Sequence, residues 1–417
     1  MTHPLVHDWN LVDAGEPPAA AIELDDETLR DGLQSPSVRT PTIEEKLRIL
    51  HLIADLGIEC ADIGLPGAGP QVVGHVERLV REIVTAKLRV RPNCAARTVL
   101  ADIRPIVEIA QRTGVQLEVA AFIGSSPLRQ YAEGWTLDFL ERSTAEALSF
   151  AVREGLTVFF VTEDTLRADP ASLRLLYTTA VRSGASRICV ADTVGHATPD
   201  GARAVVRFAL RLLDDLGARD TGVDWHGHDD RGLAVANSVA ACQAGATRLH
   251  GTGLGIGERT GNAPMDLLLV NLALLGYRPA DLTQLPAYCQ AVSDATGVPI
   301  PAKYPVVGRD AFRTATGVHA AAIAKAGRKD DRPAVDAVYS GVPAALVGRE
   351  QEIEVGPLSG KWNVIFWLEK RGLVASDDLV DRILARGKRS RTTLTEQEIR
   401  QEIASSARDG AGGGRPD

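Results

Sequence analysis

The chain has 417 residues, 45% of them hydrophobic and 24% charged, with a formal net charge of −8, enough to bury one large core and a smaller one beside it. The acidic balance argues against a nucleic-acid partner, which calls for a basic surface, and no stretch reaches the roughly 18 consecutive apolar residues of a membrane span. Met1 to Ala20 holds Asp8, Asp13, Glu16 and prolines rather than a secretory leader, so a cytoplasmic location is expected; Cys60, Cys94, Cys189, Cys242 and Cys289 are odd in number without a Cys-x-x-Cys pair, which argues against a disulfide framework or structural zinc.

Short apolar runs then recur, separated by longer stretches of helical periodicity, the signature of βα units and a parallel sheet. In chain order they are Ala21–Leu24, Cys60–Ile63, Leu88–Val90, Gln116–Ala121, Thr157–Val161, Arg187–Ala191, Thr221–Trp225 and Arg248–Gly251. Of the intervening helices, Thr42–Leu56 opens on a Thr-x-x-Glu capping box (Thr42, Glu45) and stops at Gly57, and Leu137–Arg153 stops before Gly155. Eight such units predict a closed (β/α)8 TIM barrel over residues 21–280, after an N-terminal extension at 1–20. A doubly wound open sheet is the competitor. No Gly-x-Gly-x-x-Gly follows the first strand, however, and polar residues cluster after strand ends, where a barrel carries its active site. Beyond 280 the prolines Pro286, Pro299, Pro301 and Pro305 mark a change to a smaller, mainly helical region at 281–403, with amphipathic helices expected over 377–386 and 395–403. Residues 404–417, rich in Gly, Ser and Ala, read as a disordered tail.

The strand-end clusters carry the chemistry. After the first run comes Asp25 to Pro36, dense in carboxylates, with Arg30 beside Asp31. The fifth is followed by Glu163-Asp164-Thr165-Leu166-Arg167 and the sixth by Asp192-Thr193-Val194-Gly195-His196. The seventh leads into Trp225-His226-Gly227-His228-Asp229-Asp230-Arg231-Gly232, and the eighth into the glycine-rich Gly253 to Asn262, a loop able to bring backbone N–H groups close to an anion. Side chains two apart on a strand share a face, so His226 and His228 can turn toward one ion. A third ligand is needed, and in a closed barrel Asp31 reaches the same mouth, giving a mixed nitrogen and oxygen set suited to a divalent metal. Two ordinary histidines on a surface turn are the plainer alternative.

Arg30-Asp31-Gly32-x-Gln34, Asp192-Thr193-Val194-Gly195, His226-x-His228 and Gly255-Ile256-Gly257-Glu258-Arg259-Thr260-Gly261-Asn262 stand in consistent order within residues 21–365. Together they resemble the 2-isopropylmalate synthase and homocitrate synthase family of metal-dependent TIM-barrel Claisen condensing enzymes. The resemblance implies a divalent metal ion (Mg, Mn or Zn), acetyl-CoA as acyl donor and a 2-oxo acid as acceptor. It implies that Asn262 joins Asp31, His226 and His228 at the metal, that Gln34 and Thr193 contact the acceptor, and that Gly255, Gly257 and Glu258 serve CoA. Arg30 is placed to stabilise the alkoxide formed when the enolate of acetyl-CoA adds to the keto carbon; its alternative is a salt bridge to Asp25, Asp26 or Glu27. Glu163 matches an active-site glutamate. The run Ala311 to His319 resembles a stretch whose histidine reaches the active site of a partner subunit, which makes His319 the candidate base or its helper, Tyr339 its companion, and the protein a homodimer.

Departures from the family bear on the substrate. Homocitrate synthases carry an arginine where Phe159 stands and a serine where Val161 stands, and those residues bind the distal carboxylate of 2-oxoglutarate. A buried carboxylate without a partner is costly, so Phe159 and Val161 point to an acceptor with an uncharged side chain, unless Arg97 moves in. Asp229 replaces a usual asparagine and adds negative charge near the metal, and His196 replaces a frequent tyrosine. Too little chain follows Val364 for a regulatory domain, so no feedback by an end-product amino acid is expected. The alternatives are a lyase of the 3-hydroxy-3-methylglutaryl-CoA type, opposed by the absence of cysteine from Gly253 to Asn262, a homocitrate synthase, and a non-catalytic barrel serving as a binding protein.

Overall fold

Eight parallel strands close into a barrel in the computed structural model, which describes residues 3–12, 17–18 and 20–411. They are β1 (Glu23–Asp26), β2 (Cys60–Asp62), β3 (Arg91–Arg97), β4 (Glu118–Gly124), β5 (Thr157–Glu163), β6 (Arg187–Asp192), β7 (Gly222–Gly227) and β8 (Arg248–Gly251). Each pairs with its neighbour in sequence, and β8 returns to β1 in the register Glu23↔Arg248 and Asp25↔His250. Parallel neighbours need long crossovers; helices such as Ile43–Asp55, Pro70–Thr85, Leu137–Arg153 and Pro199–Asp215 supply them. The predicted (β/α)8 architecture is the observed one.

The capping box forms as read: Thr42 Oγ1 accepts from the Glu45 N–H at 3.2 Å, and the Thr42 N–H donates to Glu45 Oε2 at 2.8 Å. Thr42→Ala is therefore expected to lower stability by about 1 kcal/mol in urea denaturation, with Thr42→Ser close to neutral.

The third strand begins later than expected. Leu88–Val90 is a connection, and β3 starts at Arg91. Arg91-Pro92-Asn93 hides this strand from a reading that looks for apolar runs, because Pro92 has no N–H for a ladder and Asn93 is polar. Asn93 is nevertheless fully buried, and its Nδ2 donates to both oxygens of Asp25 at 2.9 Å.

Alternate residues along each strand point into the barrel. On the β3 to β6 side they are small or apolar: Ala95, Ala120, Phe122, Phe159, Val161 and Cys189 pack as one cluster. At the N-terminal end the filling is ionic. Arg248, 3% exposed, donates to Glu118 Oε2 at 2.8 Å and Glu23 Oε2 at 3.2 Å and lies 3.6 Å from Asp224 Oδ2. Arg187 Nε donates to Asp224 Oδ1 at 2.6 Å.

The barrel unit spans Trp9–Ile300, so the boundary falls after residue 300 rather than at 280. Tyr288, on the helix Leu285–Thr296, explains the shift: its buried hydroxyl bonds Asp26 and, at 3.0 Å, Thr28. A second unit runs from Pro301 onward and includes residues 3–8. It has its own core of Val355, Val364, Trp367, Leu368, Ile383 and neighbours, and a two-stranded parallel ladder of β9 (Arg313–Thr314) and β10 (Glu352–Ile353). The expected amphipathic helices are present at Asp377–Arg389 and Glu396–Ala411. The second of these carries regular structure past 404, where a disordered tail was expected; 412–417 lie outside the described residues, as do 1–2, 13–16 and 19 of the expected N-terminal extension. All five cysteines are buried and free. Among the described residues no helix is long and apolar enough to cross a membrane.

Candidate active site

At the C-terminal mouth of the barrel, strand ends and their loops enclose a cavity of about 180 Å³, room for a small metabolite. Its lining includes Arg30, Asp31, Gln34, Phe159, Val161, Glu163, Thr193, His226, His228 and Glu258. The sequence placed these residues in separate segments, and the barrel brings them together.

Asp31 Oδ2 lies 3.8 Å from His228 Nε2 and 4.0 Å from His226 Nε2. Asn262 joins them through a backbone bridge to His228. Three polar atoms here, Asp31 Oδ2, His228 Nδ1 and Asn262 Oδ1, are buried without a hydrogen-bond partner. Each such atom costs about 1–3 kcal/mol; the two acceptors among them, Asp31 Oδ2 and Asn262 Oδ1, lie with His226 Nε2 and His228 Nε2 in a donor set that suits a divalent cation. Burial, and then the neighbouring His226, push His228 down to about 4, which leaves it neutral. Burial also opposes protonation of His226, but the Glu27 carboxylate outweighs it and the imidazole titrates above its usual range.

Arg30 makes the salt bridges that were its alternative reading: Glu27 is one partner as expected, and Asp31 and Asp62 take the place of Asp25 and Asp26. Its Nε donates to Asp62 Oδ2 at 2.6 Å and its guanidinium to Asp31 Oδ1 at 2.9 Å, with Glu27 Oε1 at 3.4 Å. Being tied does not remove it from the cavity, whose wall it still forms. Glu163, at the end of β5, sits 3.6 Å from Arg129, and burial raises its pKa. The Thr193 hydroxyl accepts from the Asp164 N–H at 2.9 Å and keeps its own proton to donate.

The glycine-rich loop curls around Asn262. Gly255, Gly257 and Gly261 have φ of 65°, 151° and 90°, a region that side chains rarely enter. A Cβ on Gly257 would overlap Asn262 Nδ2, and one on Gly261 would overlap the Gly255 carbonyl. Gly261→Ala is accordingly expected to cost about 1–3 kcal/mol of stability, measured by chemical denaturation. Glu258 is more than half exposed at the rim, while Arg259 is held by Asp230 at 2.9 Å and by the Thr193 carbonyl at 2.7 Å.

Two expected perturbations resolve differently. Asp229 is engaged locally: its Oδ1 accepts from the Ala234 N–H at 2.9 Å, at the start of the helix Ala234–Gln243. Arg97 is clasped by Asp102 at 2.7 and 2.9 Å and is absent from the cavity wall. His196 is exposed, and its backbone N–H donates to Asp192 Oδ1 at 2.8 Å.

In the C-terminal unit the rings of His319 and Tyr339 stack at 3.9 Å between centroids. Ser359 Oγ and Asn363 Nδ2 both donate to the Ala315 carbonyl, at 2.8 and 3.1 Å, and so fix the entry to the helix Gly317–Gly327 that carries His319.

Asp62 and His250 were not singled out from the sequence, and Glu27 only as a possible ion-pair partner of Arg30, yet all surround Arg30 or His226. The signal was present: each is an ionisable residue in or just after a run that otherwise reads as buried strand.

The HMGL-like family model matches residues 21–292. Homocitrate synthase AksA of Methanopyrus kandleri is 33% identical over 386 residues, covering 91% of this chain and 90% of its own. The homocitrate synthase of Saccharolobus islandicus is 32% identical over 375 residues, covering 88% and 76%. Among solved structures, the HMG-CoA lyase of Brucella melitensis shares the fold with a TM-score of 0.55 at 19% identity, covering 66% of this chain and 99% of its own; that of Bacillus subtilis does so with a TM-score of 0.56 at 19% identity, covering 69% and 98%. A family model spanning the whole barrel, and a relative one-third identical along nine-tenths of both chains, show that this chain belongs to the HMGL-like family, alongside its homocitrate synthases.

Proposed function

We propose that the protein is a divalent-metal-dependent acyltransferase that condenses acetyl-CoA with a 2-oxo acid bearing an uncharged side chain, giving a 2-substituted malate and free CoA. In this reaction the acetyl methyl loses a proton and its carbon bonds to the keto carbon of the acceptor. The keto oxygen becomes an alkoxide that takes up a proton, and water then cleaves the thioester to release CoA. The homocitrate synthase relatives support condensation of acetyl-CoA with a 2-oxo acid.

Asp31, His226, His228 and Asn262 would hold the cation, whose chemistry is Lewis-acid polarisation of the acceptor's keto group. Arg30, fixed at the wall by Asp31 and Asp62, offers a preorganised positive charge to the alkoxide. Thr193 and Gln34 orient the acceptor's carboxylate, and Glu163 exchanges protons at the reacting centre. Glu258 at the rim, with the buried Gly255 and Gly257 shaping the loop that carries it, serves CoA. His319 with Tyr339, supplied by a second copy of the chain, helps remove the methyl proton; proton transfer of this kind contributes about 100- to 10,000-fold.

One observation carries the acceptor class. Below Glu163 the wall from β3 to β6 is Ala95, Ala120, Phe122, Phe159, Val161, Cys189 and Ala191, and the arginines nearby are committed: Arg30 to three carboxylates, Arg129 to Glu133 and Glu163, Arg259 to Asp230, Arg97 to Asp102. A distal carboxylate on the acceptor would be desolvated there without a partner. The names of the relatives favour a second reading, with 2-oxoglutarate as acceptor.

Thiol release from acetyl-CoA by the metal-loaded protein, measured across a panel of 2-oxo acids, separates the two. Preference for a branched, aromatic or short neutral acceptor, lost in Asp31→Ala and His226→Ala, is the expected result. Preference for 2-oxoglutarate would establish the second reading, and cleavage of a 3-hydroxyacyl-CoA without any thiol-releasing acceptor would replace both with a lyase.

A further inference from the structure

We infer that Glu27 and His250 are positioning residues for the metal centre: a buried chain running His226–Glu27–His250–Asp224 fixes the tautomer and direction of His226 from the ionic layer at the floor of the barrel. The inference rests on the reading of Asp31, His226 and His228 as metal ligands.

The chain begins at His226, whose Nδ1 lies 2.7 Å from Glu27 Oε2. A carboxylate accepts, so Nδ1 carries the proton and Nε2, 4.0 Å from Asp31 Oδ2, is the nitrogen left to meet a cation. Glu27, 4% exposed, uses its other oxygen on His250 Nδ1 at 3.0 Å. His250 is fully buried, and its remaining nitrogen lies 3.4 Å from Asp224 Oδ2 and 4.0 Å from Asp25 Oδ2. Both ring nitrogens of His250 therefore face carboxylates and both donate. Asp224 is anchored in turn by Arg187 at 2.6 Å. The edge of Phe159 closes the other side, with ring centroids 5.9 Å apart.

Glu27, His226 and His250 also come close enough to suggest a second ion site. The spacing argues for protons instead. Ligands on a tetrahedral ion at about 2.0–2.1 Å stand about 3.3 Å from one another, whereas Glu27 meets the two imidazoles at hydrogen-bond distances of 2.7 and 3.0 Å. An outer hydrogen bond of this type orients a metal-bound histidine and raises its basicity, and its loss typically weakens metal affinity about 10- to 100-fold.

The test is titration of the metal-free protein with Co²⁺, followed by visible absorption and calorimetry, alongside thermal melts of the metal-free variants. One Co²⁺ per chain is expected. Glu27→Gln should weaken binding about 10- to 100-fold, and His250→Gln should do so less. The double variant should bind no more weakly than Glu27→Gln alone, because His250 acts through Glu27; a purely structural loss would instead add. Asp31→Ala tests the underlying reading separately. If Asp31→Ala abolishes binding while Glu27→Gln and His250→Gln stay within twofold of the parent, the positioning role is wrong and the metal site stands. Undiminished binding by Asp31→Ala would remove the metal site and the inference with it. Two Co²⁺ per chain would overturn the proton-held chain. Should Glu27→Gln fail to fold, His250→Gln carries the same comparison.

Discussion

Arg248→Met is expected to lower folding stability by about 3–5 kcal/mol. The methionine keeps much of the volume and the apolar stem, so little of this loss would come from packing. The loss comes from what remains. Glu118 and Asp224 face Arg248 from β4 and β7, and Glu23 from β1, inside a barrel where Asp224 is fully buried. Asp224 would keep Arg187 and His250 as partners, but Glu118 would lose the one charge-assisted bond at 2.8 Å that holds it. Guanidinium denaturation at neutral pH measures the effect. A loss under 1 kcal/mol would mean that water or Arg91 takes over the carboxylates. The converse change, Glu118→Gln, leaves Arg248 with Glu23 and Asp224 and should cost less.

The architecture was legible because the βα alternation is repeated, and each repeat needs an apolar strand between two covering layers. The runs Cys60–Ile63, Thr157–Val161 and Arg248–Gly251 located β2, β5 and β8 this way. The rule failed at β3, where Pro92 and Asn93 interrupt the run while their neighbours Cys94, Ala95 and Ala96 are buried. The same rule hid the support of the site. Polar clusters were sought after strand ends, and that search found Asp31, His226 and His228, while Asn262 came from the family resemblance. Asp62 and His250 lie within strands, where an ionisable residue in an apolar run reads as ordinary core. Their function depends on which strands become neighbours, and β1 meets β8 only on closure of the barrel. The boundary near 300 was obscured for a similar reason. The Asp26–Tyr288 bond joins residues 262 positions apart, which local composition does not register.

Arg30→Lys is expected to lower the rate of thiol release by about 100- to 1,000-fold, although the charge is kept. The arginine spans Asp62, Asp31 and Glu27 at once, through a planar fork. A lysine ammonium is a point charge on a flexible stem and cannot reproduce that span. Satisfying buried Asp62 draws the ammonium toward β2, away from the alkoxide that would develop on the acceptor. The loss belongs to the transition state, so it should appear in kcat and kcat/KM together, with the KM for the acceptor little changed. Folding should survive, since one positive charge still offsets the carboxylate cluster. A combined measurement separates catalysis from clasp: thermal stability and Co²⁺ affinity near those of the parent, with activity reduced at least 100-fold, would place Arg30 at the reacting oxygen. Activity within fivefold of the parent would show that its positive charge only holds Asp31 and Asp62 in place.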